Sequence, residues 1–97
     1  MKVTLLYFDD CPNWKVADGH LQALSSEIDG LEVSRIEVTT PEDAERHQFR
    51  GSPSVLIEGH DPFAEATDPV GLSCRVYQTP DGPAGSPTLS QLRQVLT

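Results

Sequence analysis

This chain is short of positive charge, of cysteine and of uninterrupted apolar sequence, and each shortage closes off a class of function. Seven lysines and arginines stand against fifteen aspartates and glutamates, a net charge of −8. Such a surface attracts neither phosphate backbones nor anionic headgroups, so neither nucleic acid nor membrane is expected as a partner. Two cysteines in 97 residues do not make a disulfide scaffold. No apolar run approaches the roughly 20 residues that span a bilayer, and the apolar stretch at the start lacks a signal peptide's pattern. The expected compartment is therefore cytoplasmic. Hydrophobic residues make up only 37% of the chain, below the usual share, so one modest core is expected. The length suits a single compact domain over residues 1–97 that buries roughly two-thirds of its unfolded surface. No second domain, internal repeat or low-complexity tract is visible, and a monomer is expected.

The apolar sequence that remains is ordered. Residues 2–8 (KVTLLYF) are β-branched, aromatic and leucine-rich, as in a buried strand. From there Trp14, Ala17, Leu21, Leu24 and Ile28 recur at three- and four-residue steps, which predicts a helix over residues 12–28. Residues 31–39 read as a second strand. Leu31 and Val33 fall on one face, with Ile36 and Val38 on the other, so the sheet is covered on both sides or bulges near Ser34. Thr40 caps a short surface helix that has Pro41 at its first position, acids in its first turn, and an end near Phe49. Gly51-Ser52-Pro53 leads into a third strand over residues 54–58. Residues 59–71, with two Asp-Pro pairs, read as a loop with a helical turn over 63–66, and His60 and Asp61 read as turn residues. Residues 72–78 alternate, with Leu72, Cys74 and Val76 toward a covered face, as a fourth strand antiparallel to the third. A turn over 79–85 follows, and Ser86-Pro87 starts the last helix, whose stripe is Leu89, Leu92, Val95 and Leu96. His47 has no second ligand at metal spacing around it, so no metal site is expected.

Between the first strand and the first helix lies Asp9-Asp10-Cys11-Pro12-Asn13-Trp14. The predicted helix puts Cys11 at or just before its cap, facing unpaired backbone N–H groups and the positive end of the dipole. Both favour a thiolate, while Asp9 and Asp10 oppose it. Cys11 is the candidate reactive sulfur. Trp14, one turn on, either joins the core stripe or offers a flat apolar platform to a bound thiol or peptide.

A strand, a Cys-Pro helix start and a later Ser-Pro opening another strand resemble the thioredoxin-fold family, through Cys11, Pro12 and Pro53. The resemblance implies an α/β fold of order β-α-β-α-β-β-α. Its four-stranded mixed sheet would run 2-1-3-4, with helices on both faces. It also implies a cis Ser52-Pro53 bond beside the reactive cysteine that helps to hold substrate. Cys11 is then the catalytic residue, and Pro12, Trp14, Ser52 and Pro53 the substrate-binding ones. The chain departs from the family's C-x-x-C, because tryptophan holds the resolving position, and the C-G-F-S of monothiol glutaredoxins is not matched either.

Three functions follow from these residues. The first is a monothiol thiol–disulfide oxidoreductase acting on a protein thiol or small thiol. Its Cys11 is resolved by a low-molecular-weight thiol such as glutathione, with no bound cofactor. The second is a non-catalytic module that binds a partner peptide in a groove around Trp14 and Pro53. The third carries or senses a soft metal or organometal through Cys11, with or without Cys74. Two structural expectations accompany them. Cys11 is partly exposed, so Cys11→Ser costs little stability. Cys74, roughly 10–13 Å away along the fourth strand, forms no disulfide with it.

Overall fold

The computed structural model describes residues 1–64 and 69–97. Eight elements follow one another: β1 (Lys2–Tyr7), α1 (Trp14–Glu27), β2 (Glu32–Glu37), α2 (Pro41–His47), β3 (Ser54–Ile57), β4 (Tyr77–Thr79), β5 (Gly82–Ala84) and α3 (Leu89–Leu96). β1 is central in a three-stranded sheet of order β2-β1-β3. It runs parallel to β2, from Lys2 opposite Glu32 to Tyr7 opposite Glu37, and antiparallel to β3, from Val3 opposite Ile57 to Leu6 opposite Ser54. The register with β2 is unbroken, so Ser34 makes no bulge, and the second face is covered only in part: Val38 is buried while Ile36 is 38% exposed.

Side chains alternate across a strand, and the two faces of β1 build two cores. Val3 and Leu5, with Val55 of β3, meet Ala17, Leu21 and Leu24 of α1 and Leu92 and Leu96 of α3. Leu6 points the other way, to Val38, Ala44 and Phe49. The helical stripe read from Trp14 to Ile28 is thus the buried face of α1. Phe49 was expected on a surface helix, yet it is fully buried. The chain turns inward after the left-handed Gln48, with Phe49 N–H on the Ala44 carbonyl at 2.8 Å. Burial of a side chain of this size is worth about 1.5–3 kcal/mol, enough to hold a seven-residue helix that could not stand alone.

The α2 cap forms as read: the Thr40 hydroxyl accepts from Asp43 N–H at 3.1 Å, with Pro41 at the first helical position. The last helix starts later than read. Thr88, not Ser86, is its cap, in a reciprocal capping box with Gln91.

The fourth strand over 72–78 is corrected, and with it the four-stranded 2-1-3-4 sheet. β4 is only Tyr77–Thr79, and it pairs with β5 in a separate two-stranded hairpin. The residues read as a turn instead supply a strand. Thr79 closes the hairpin by donating to the Gly82 carbonyl at 2.6 Å and accepting from Asp81 N–H at 3.2 Å. The α/β class stands, with three helices and five strands in two sheets among the described residues. The turn read over 63–66 lies in part outside the described residues.

Candidate functional site

The site lies where the turn after β1 meets the start of β3. Cys11 N–H donates to the Phe8 carbonyl at 3.0 Å, which fixes the turn. The Ser52 hydroxyl accepts from Phe8 N–H at 2.9 Å, locking the approach to β3 against the end of β1. The Ser52–Pro53 bond is cis, as the resemblance implies, and both residues are buried. Helix α1 begins at Trp14 rather than at Pro12, with Asn13 as its cap, so Cys11 stands two residues before the cap. Asn13 makes no side-chain cap bond. Its amide lies against Gly85, where an added Cβ would come within 2.0 Å of Nδ2.

Cys11 and Cys74 are joined in a disulfide, with Cα atoms 5.6 Å apart. This overturns the expected separation and, with it, the monothiol. The difference is one of register. Residues 73–75 do not run antiparallel to β3. They meet Ser52 in a parallel bridge, with Ser52 N–H on the Ser73 carbonyl at 2.7 Å and Arg75 N–H on the Ser52 carbonyl at 3.0 Å. Cys74 therefore sits opposite Ser52, beside the cysteine turn, instead of several residues along a strand.

Facing is reversed as well. Cys74 is exposed and Val76 is 65% exposed, while Arg75 and Tyr77 point inward at 8% and 4%. The inward pair is held by polar partners, which apolar periodicity cannot reveal. Arg75 Nη1 lies 2.6 Å from Asp61 Oδ2 and donates to Ser54 Oγ at 3.3 Å. The Tyr77 hydroxyl donates to the Pro53 carbonyl, and its ring lies 4.6 Å from the Arg75 guanidinium carbon. Asp61, read as a turn residue, is thus the counter-ion of a buried arginine. It also keeps its turn, accepting from Phe63 N–H at 2.9 Å.

Cys11 was expected to be partly exposed and is 2% exposed. The two ends of the bond therefore differ: one is closed off beneath the turn and the other faces solvent. Cys74 lines a cavity of about 560 Å³ with Arg50, Phe63, Ser73, Val76 and Gln78 among its walls. That volume is within the range of small-molecule sites.

Trp14 and Pro53 do not line this cavity. Trp14 is half-buried and stacks on Tyr7, with ring centroids 4.3 Å apart, while packing against the α1 core. Pro12 is exposed at the turn. Of the residues singled out in the sequence, Cys11, Ser52 and Pro53 thus converge on the site. Among the described residues, no cluster of three or more His, Cys, Asp or Glu side chains is placed to hold a metal ion. No helix there is long and apolar enough to cross a membrane.

Fold and site together define a small α/β protein that carries one asymmetrically buried disulfide at the edge of its main sheet. No known protein family, curated protein or solved structure matches the chain.

Proposed function

We propose that this chain is a thiol–disulfide exchange protein of thioredoxin-like organisation, working through the pair Cys11 and Cys74. The observation that carries the reading is the asymmetry of the bond. Cys11 is 2% exposed, and its exposed partner Cys74 opens on a cavity. The Cys-Pro turn before α1, the cis Ser52–Pro53 bond before β3, and β1 between a parallel and an antiparallel neighbour support the family likeness. Cys74 supplies the second sulfur that the C-P-N-W sequence lacks.

Exchange proceeds by attack of a thiolate on one sulfur of a disulfide, so access decides which sulfur is struck. A substrate thiolate attacks Cys74 Sγ, the Cys11–Cys74 bond breaks, and its electron pair leaves on Cys11 as the thiolate. The product is a mixed disulfide between substrate and Cys74. A second substrate thiolate attacks the substrate sulfur of that intermediate and releases Cys74 as thiolate. Two thiols become one disulfide and the protein is left as the dithiol. The same steps in reverse reduce a substrate disulfide. The substrate class is a small thiol or a thiol on an exposed protein segment, since either can bring its sulfur to the exposed Cys74.

The test uses the folded protein in glutathione redox buffers, with thiols trapped by alkylation and mapped by mass spectrometry. The expected result is reversible interconversion of both cysteines without denaturant, and capture of glutathione on Cys74 in the Cys11→Ser variant. A bond that resists excess thiol until denaturant is added is a structural tie, and overturns the reading.

A further inference from the structure

Cys74 is held in place by contacts that owe nothing to its sulfur. On either side of it, the Ser73 carbonyl and the Arg75 N–H are bonded to the backbone of Ser52 at 2.7 and 3.0 Å. Arg75 then turns inward to Asp61 at 2.6 Å, in a pair whose side chains are only 6% and 10% exposed. Two residues on, the buried Tyr77 hydroxyl is bonded to the carbonyl of Pro53, and the Tyr77 ring lies beneath the guanidinium. Phe63, from the same loop as Asp61, meets that ring edge-on at 5.4 Å. Gly51 completes the fixture from behind, since its missing Cβ lets Arg75 approach.

A buried ion pair is costly to break from one side, because the remaining charge is left without compensation. A segment anchored by such a pair on one side and by a buried hydroxyl on the other does not drift when a neighbouring covalent bond opens. Cys11 is fixed independently, through its N–H on Phe8. Both sulfurs thus have their own scaffolds.

We propose that Asp61, Arg75 and Tyr77 form a clamp that positions Cys74 against Cys11 in the reduced protein, so that the disulfide recloses without a search. These are positioning residues, and the proposal rests on the exchange reading above. Their action is thermodynamic. In the clamped protein the segment is ordered in both redox states. Without the clamp, the reduced segment is free and closing the bond must order it. Removal of the clamp therefore disfavours the disulfide relative to the dithiol, by the entropy of ordering the segment. A purely structural contact, lost equally from both redox states, would leave that equilibrium unmoved.

The experiment has two arms, on the wild type, Arg75→Gln and the milder Tyr77→Phe. In glutathione buffers, Arg75→Gln is expected to lower the disulfide equilibrium constant about tenfold or more, which is ~30 mV for the two-electron couple, with Tyr77→Phe between it and wild type. In the second arm, amide hydrogen exchange on chemically reduced protein is expected to show residue 75 still protected in wild type and released in Arg75→Gln. Loss of that protection in reduced wild type overturns the clamp, as does an unchanged equilibrium in both variants. If the wild-type bond does not exchange with glutathione at all, the exchange reading fails. The second arm still decides whether the segment is held without its sulfur.

Discussion

Gly51 and Arg75 are in backbone contact: a Cβ on the glycine would fall 3.0 Å from the Cβ of Arg75 and 3.2 Å from its Cα and nitrogen. Gly51 also has φ of +108°, where L side chains are strained. Those atoms are the Cβ and main chain of Arg75, which cannot swing aside as the far end of a flexible side chain would. Gly51→Ala is therefore expected to destabilise the protein by about 2–3 kcal/mol, from strain and crowding together. Urea unfolding of the oxidised protein measures this. A loss under about 0.5 kcal/mol, the level of a neutral surface change, would show that the contact relaxes.

The disulfide itself joins residues 63 apart in sequence. In the chain-entropy account, closing a loop of that size stabilises the fold by about 4 kcal/mol, mainly by restricting the unfolded chain. Cys11→Ser is thus expected to cost several kcal/mol relative to the oxidised protein, not the small loss suggested by an exposed thiol. Much of that loss should also appear on simple reduction of wild type, because the clamp leaves the folded geometry in place. Paired unfolding curves with and without reductant test this. A difference below about 1 kcal/mol contradicts it.

The parts of the fold legible in sequence are those in which burial is apolar and periodic. The Trp14 to Ile28 stripe and the Thr40-Pro41 cap report on local geometry and reappear in the structure, whereas of residues 31–38 Leu31 and Val33 join one core and Val38 the other while Ile36 stays 38% exposed. Residues 72–84 depart from their apolar pattern for the opposite reason. Leu72, Cys74 and Val76 carry the apolar pattern, yet the inward face belongs to Arg75 and Tyr77. An arginine is buried only when a counter-ion is brought to it, and Asp61 lies 14 residues upstream, beyond any local pattern. The cysteine turn and the cis proline were legible as motifs. The sulfur that completes them was not, because its position depends on a polar pair rather than on periodicity.

Glu27 contributes to the acid limb of stability. Arg93 donates to Glu27 at 3.1 and 2.9 Å, joining α3 to the end of α1. Those hydrogen bonds, opposed by desolvation and aided by charge attraction, hold the Glu27 carboxyl below its ordinary value. A lowered carboxyl pKa means that the stabilisation is complete above the unfolded value, near pH 4.3, and is lost as pH falls through the folded value. Both side chains are exposed, so salt screens the pair and its contribution is small. Glu27→Gln is expected to lower stability slightly at neutral pH and low salt, with the deficit fading on acidification and in concentrated salt. An equal deficit at every pH would show that the carboxylate charge is not responsible.

Trp14 stands where a C-x-x-C protein would carry its second cysteine, and it is half-buried. It stacks on Tyr7 at an interplanar angle of 27° and packs against the α1 core. Lys15 Nζ and Arg35 Cζ lie 5.9 and 6.0 Å from its ring centroid, and Arg35 is also tied to Asp18 at 3.5 Å. Truncation to alanine removes the stack and leaves a gap beside half-buried neighbours, so Trp14→Ala is expected to cost about 2–3 kcal/mol, less than for a fully buried tryptophan. Trp14→Phe should recover most of that loss. In the exchange proposed above the attack is on Cys74, whose cavity Trp14 does not line. The rate of reaction of the folded Trp14→Ala protein with a small thiol should therefore stay within about twofold of wild type, ~0.4 kcal/mol in the barrier. Stopped-flow reduction below the variant's unfolding transition measures that rate. A tenfold slowing with stability intact would instead place Trp14 in the substrate groove, and move the point of attack from Cys74 to Cys11.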